Sequence, residues 1–83
     1  MKAVKITKPL YECRSPGDYM RYAREKRGLS LMALSKASGV TDVTIWQWEH
    51  DARSPSLSLL ISVCVKLGCS LDEYVGFGAI RSD

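Results

Sequence analysis

The feature that most constrains this chain is its punctuation. Five times a hydroxyl residue stands just ahead of an apolar stretch: Ser15, Ser30, Thr41, Ser56 and Ser70. A hydroxyl at such a place accepts a hydrogen bond from a first-turn amide that has no partner inside its own helix. Three stretches are closed by glycine, at Gly28, Gly39 and Gly68, where helices commonly end in left-handed backbone. Between these marks apolar residues recur every three or four positions, the period of a helix with one buried face.

The spacing predicts five short helices. The first runs from about 16 to 27, with Pro16 at its first position, Asp18 in its first turn, and Met20, Ala23 and Arg27 in register. The second buries Leu34 and Ala37 and stops before Gly39. The third holds Ile45 and Trp48 on one stripe. In the fourth, Leu57, Leu60, Val63, Cys64 and Leu67 repeat at three and four. Ser70 with Glu73 three residues later forms a capping box that opens a short fifth helix, with Leu71 and Tyr74 facing inward. From Gly76 the tail carries two glycines and is expected to fray. The fold class is therefore all-α, a compact five-helix bundle.

Eighty-three residues make one domain. So short a chain buries only about 60% of its unfolded surface, so a partner subunit would help it. Its organisation reads as a basic arm over 1–15, a helical domain over 16–76 and a tail over 77–83. In the arm, Val4 and Ile6 alternate with Lys5 as in a short strand, but Pro9 interrupts. With 46% hydrophobic and 25% charged residues, the composition suits a folded globule. No run approaches the ~18 apolar residues of a membrane span, and residues 1–6 lack the long apolar run of a secretion signal. The chain is expected to be cytoplasmic.

The three cysteines cannot all pair internally, and Cys64 and Cys69 sit in an apolar helical pattern as small hydrophobes. All three read as thiols. His50 is the sole histidine, so no cluster has zinc spacing and no metal or cofactor is expected. No nucleophile, base and orienting group stand together, which argues against an enzyme. Charge is uneven. Residues 1–27 hold eight bases against three acids, and residues 28–83 four against six. The basic third is a usable phosphate footprint. Lys2, Lys5 and Lys8 either track phosphates or a minor groove, or belong to a solvated tail.

The stretch Leu34 to Trp48 carries the functional signal. A short helix meets a tight turn at Gly39, then Val40, then a newly capped helix. Helices joined this closely cross steeply, with Val40 plugging the angle between them. Ile45 and Trp48 hold the second of the two to the core, and Thr41, Asp42, Val43, Thr44 and Gln47 face out. A helix presented in this way, over about 41–50, fits the major groove of double-stranded DNA.

Arg24-x-x-x-Gly28-Leu29-Ser30, Leu34, Gly39-Val40, Ile45, Glu49, Pro55-Ser56-Leu57, Leu60 and Leu67-Gly68-x-Ser70-Leu71-Asp72-Glu73 together resemble the phage-repressor/Cro-like (XRE-type) helix-turn-helix family, from about Met20 to Tyr74. The resemblance implies a lambda-repressor-like bundle and a sequence-specific regulator of transcription. It implies an ion pair between Arg24 and Glu49, base reading by Thr41, Asp42, Val43 and Gln47, and phosphate contacts from Ser30, Thr44, Arg53 and Ser54. Gln47 could pair bidentately with adenine and Val43 touch a thymine methyl. The family's usual dimer region falls on helix five, Val75 and Phe77, so a homodimer is expected unless these residues cap the monomer's own core. Helix four also keeps Leu59, Ile61 and Val65 beyond its core stripe.

Departures from the family pattern matter as well. Leu31, Met32 and Ala33 replace polar positions, Asp42 is acidic where bases are read, Trp46 projects from the recognition helix, and Asp51 stands where a glycine is usual. Leu31, Met32 and Trp46 form either an exposed patch for a protein partner or a locally packed surface. The alternative function is accordingly a protein-interaction module, such as an antirepressor or regulatory subunit, on the same scaffold.

Overall fold

The computed structural model describes the backbone of residues 5–81 and the side chains of residues 5–77. Lys2, Val4 and the end of the tail, 82–83, lie outside the described residues. A single 3-10 turn, Leu10–Glu12, precedes five helices: α1 Pro16–Lys26, α2 Leu31–Ser38, α3 Asp42–Glu49, α4 Leu57–Leu67 and α5 Leu71–Arg81. No strand occurs among the described residues. No helix among them is long and apolar enough to cross a membrane.

The caps form as the hydroxyls dictate. The side chains of Ser15, Ser30, Thr41 and Ser56 accept from the amides of Asp18, Ala33, Thr44 and Leu59, each such cap contributing about 1 kcal/mol. At the start of α5 only half of the capping box is made. The Glu73 amide donates to Ser70 Oγ, but the Glu73 carboxylate turns away and accepts from the Tyr19 hydroxyl at 2.8 Å. That hydroxyl in turn accepts from the Ser70 amide, so a tyrosine of α1 replaces the reciprocal bond. Burial first, and the Glu73 bond second, push the Tyr19 phenol well above its ordinary value.

Met20, Leu34, Ile45 and Val63 are fully buried. Ala23, Val40, Trp48, Leu60, Cys64 and Leu67 complete the core, with Leu29, Leu31, Cys69, Leu71 and Tyr74 packed against its edge. The helices meet as α1 on α3 and α5, α2 on α3 and α4, and α4 on α5. All three cysteines are free thiols.

Four details differ from the sequence expectation. Ala37 is exposed, because the inward side of α2 is set by Leu34 with Leu31 and Ser38, and Ala37 falls on the flank. Leu57 is 65% exposed, since α4 centres its buried stripe on Leu60, Val63, Cys64 and Leu67 and its first residue is rotated off that line. Helix α5 does not stop at Gly76 but runs to Arg81. Phe77 stacks on Tyr19, ring centroids 5.2 Å apart, and that contact offsets the roughly 1 kcal/mol a helical glycine costs. The arm forms no strand over its described part, and from Thr7 onward it is not a free solvated tail. The Thr7 amide and hydroxyl donate to the Glu25 carboxylate, Lys8 pairs with Asp18 at 3.1 Å, and Cys13 is buried.

Candidate nucleic-acid interface

The turn between α2 and α3 is built by local chemistry. The Gly39 amide donates to the Ser35 carbonyl and Gly39 takes φ +79°, a conformation that costs other residues about 1 kcal/mol or more. Ser38 Oγ donates to the Leu34 carbonyl and accepts from the Val40 amide. Val40 is 7% exposed and Ile45 and Trp48 are buried below it. These contacts fix the direction in which α3 leaves the core.

A second set of contacts fixes its rotation. Arg24 and Glu49 are both buried. Arg24 Nε and Nη2 donate to the two Glu49 oxygens at 2.6 and 3.1 Å, and Nη1 donates to the Leu29 carbonyl at 2.8 Å. One guanidinium thus ties α1 to the α1–α2 turn and to the end of α3, with the planar fork matched to the carboxylate.

The start of α1 also presses on the end of α3. A Cβ added to Gly17 would lie 2.5 Å from the Trp48 carbonyl oxygen and 2.6 Å from that of Glu49, so the approach requires a residue without a side chain. The Gly17 amide donates to Asp51 Oδ1 at 3.1 Å. Asp51 itself holds φ +57°, a left-handed state that Asp tolerates better than most residues. The aspartate at a position where glycine is usual in the resembling family therefore has a structural reason: its carboxylate meets the positive end of α1.

On the outward side of α3, Val43 is 63% and Trp46 47% exposed, Thr41 and His50 are exposed, and Asp42, Thr44 and Gln47 are half-buried. Asp42 accepts from the Val43 amide at 3.0 Å, so its charge is turned onto its own helix start. Thr41 donates to the Thr44 hydroxyl, whose own proton stays free to donate. The Gln47 carboxamide makes no hydrogen bond among the described residues. Around this face, Ser30 caps α2 at its amino end, and Arg53 and Ser54 lie exposed in the loop after α3. Val75 is 58% exposed, whereas Phe77 is engaged with Tyr19 of its own chain.

Two features redraw the surface expected from sequence. Leu31 is drawn against the core, so it is not part of an exposed patch with Met32 and Trp46. Trp46 is also not a free ring: it stacks on His50 with centroids 3.9 Å apart and planes 21° apart. Sequence reasoning assigned His50 no role; its place four residues after Trp46 on one helix was the available signal. The basic third is less free than its composition suggests, because Lys8, Arg21 and Arg24 pair with Asp18, Glu25 and Glu49. Burial by itself would raise the Asp18 and Glu25 carboxyls. Hydrogen bonds from the Arg14 and Thr7 amides, with Lys8 and Arg21 alongside, outweigh it and hold both below the ordinary range. No group of three or more metal-binding side chains occurs among the described residues.

A family model described as helix-turn-helix matches residues 20–74. Nothing among the curated proteins or the solved structures matches the chain.

Proposed function

Because the chain belongs to the phage-repressor/Cro-like helix-turn-helix family, we propose that it is a sequence-specific regulator of transcription, repressor-like, that binds double-stranded DNA through α3. The observation that carries this reading is the pairing of a rigid mount with an uncommitted outer face. Ile45, Trp48 and the buried Arg24–Glu49 fork hold α3 in place, while Gln47, Val43 and the Thr41 end stay open to a groove.

In this proposal α3 enters the major groove. Gln47 pairs with the adenine edge, Val43 meets a thymine methyl, the remaining Asp42 carboxylate oxygen accepts from a cytosine N4 amine, and Thr41 accepts from a neighbouring base. Ser30, Thr44, Arg53 and Ser54 meet phosphates and set the register. The free amides at the start of α2 favour an anion as well. Arg53 is the sole cation of that set, so binding depends only shallowly on salt, at about 0.9 in log–log slope per neutralised phosphate.

A two-fold operator calls for a homodimer with half-sites about 34 Å apart. With Phe77 occupied inside the chain, the dimer surface centres on Val75 and on the stripe Leu57, Ile61 and Val65 of α4, all exposed. The alternative, a protein-binding module, is favoured by exposed Met32 and Trp46 and weakened by the partial burial of Leu31 against the core.

The test is a selection from random-sequence duplex, followed by titration of the enriched sequence at several salt concentrations. An enriched motif bound far more tightly than the starting pool supports the proposal. No enrichment, together with no measurable binding at low salt, removes it. Sedimentation at micromolar concentration checks the dimer.

A further inference from the structure

We infer that the Trp46 indole, held flat by His50, is a specificity-determining residue that reads the C5-methyl of thymine beside the Gln47 contact. The inference rests on the base-reading role proposed for α3 and deepens it by naming the chemistry that face selects.

Three observations carry it. First, residues 41–50 contain no Lys or Arg, and Asp42 is turned onto its own helix amide. This face has little to offer a phosphate or the acceptor edge of guanine, whose usual partner is a cation. Second, what it offers is apolar: Trp46 and Val43 are about half and two-thirds exposed. Trp46 lies next to Gln47 and three residues from Val43, so the ring continues the outward surface. In the major groove the apolar feature that distinguishes one base from the others is the thymine methyl.

Third, the ring is fixed. His50 Nδ1 lies 2.9 Å from the Trp46 carbonyl. A carbonyl only accepts, so the proton sits on Nδ1 and the imidazole is anchored to the helix end. The imidazole then lies against the indole at 3.9 Å, covering one ring face and leaving the remainder outward. A large ring already held in one orientation loses little freedom on binding, which is what a discriminating contact needs. Trp46 is the specificity determinant, and His50 is a positioning residue that acts through it.

The experiment uses the full chain and the duplex of highest affinity returned by selection. Each thymidine in the half-site is replaced in turn by deoxyuridine, which removes the methyl and keeps every hydrogen-bonding group. The wild type is expected to lose about fourfold in affinity at the Trp46 position, the size of one buried methyl. Trp46→Ala, with its folding checked by its melting curve, binds the two duplexes equally at that position. Val43→Ala removes a penalty at a different position only. His50→Ala shrinks the Trp46 penalty, and His50→Phe, which keeps a stacked ring but loses the bond to the Trp46 carbonyl, restores part of it. Equal wild-type affinity for every uracil duplex, or an undiminished penalty in Trp46→Ala, overturns the inference. A pool that never enriches overturns the base-reading proposal beneath it, an outcome distinct from enrichment without methyl discrimination.

Discussion

Replacing Arg24 by Ala removes a guanidinium that makes three hydrogen bonds from a site 5% exposed. The Glu49 carboxylate, 4% exposed, then loses both of its short bonds, and the Leu29 carbonyl loses the bond that Arg24 donated. Breaking a buried pair by removing one partner costs about 3–5 kcal/mol, chiefly because the surviving charge stays buried without compensation. A domain of this size holds roughly 4–12 kcal/mol in all. A change of 1 kcal/mol moves the midpoint of so small a domain by about 4–8 °C, so the variant should melt on the order of 15–30 °C lower. Circular dichroism against temperature and against urea measures it. The companion variant, Arg24→Met with Glu49→Leu, replaces the pair by apolar groups of similar size and should recover most of the loss. A single variant melting within 2–3 °C of wild type, a span of about 0.5 kcal/mol, or a double variant no better than the single, would refute the claim that this fork fixes α3.

Three further outcomes follow from the same geometry. Gly17→Ala drives a methyl into the Trp48 and Glu49 carbonyls and should cost about 1–3 kcal/mol by overpacking, read as a lowered urea midpoint together with weaker DNA binding as α3 shifts. Gln47→Ala should relax discrimination at one base pair by about 1–3 kcal/mol and leave the others intact; a selected motif with every position weakened equally argues against a reading role. The arm should loosen in acid. Asp18 and Glu25 have folded values below their ordinary ones, so their contribution is complete above the usual carboxylate range of about 4. It is lost as pH falls through the lowered folded values. Faster amide exchange at Thr7 and Arg14 below that range, before the core amides respond, is the expected sign.

Much of the fold was legible because its signals are local. Ser15, Ser30, Thr41 and Ser56 cap the helices they precede, and Gly39 and Gly68 take the positive φ their positions suggest. A hydroxyl needs only the next three residues to do its work. Ala37 and Leu57 were misplaced because periodicity fixes a stripe but not its centre, and only the neighbouring helix decides which flank is covered. The length of α5 depends on Phe77 meeting Tyr19, 58 residues earlier, which no local pattern contains. The same holds for the Tyr19–Glu73–Ser70 bridge and for the clasp of Thr7 on Glu25. At the candidate interface, spacing located α3 and the side that it turns outward. The Arg24–Glu49 pairing came from family resemblance alone, since a contact across 25 residues leaves no periodic trace. Asp51 looked like a defect in a glycine position until its carboxylate was found on the Gly17 amide.

The central claim is that the outward side of α3 is what meets DNA. Amide chemical-shift mapping of the full chain, titrated with the selected duplex, tests it at residue resolution. The largest changes should fall on Thr41 to Gln47 and His50, with a second group at Ser30, Leu31 and Arg53, while α4 and α5 stay quiet. Changes concentrated on Leu57 to Val65 and α5, with α3 unmoved, would contradict the account.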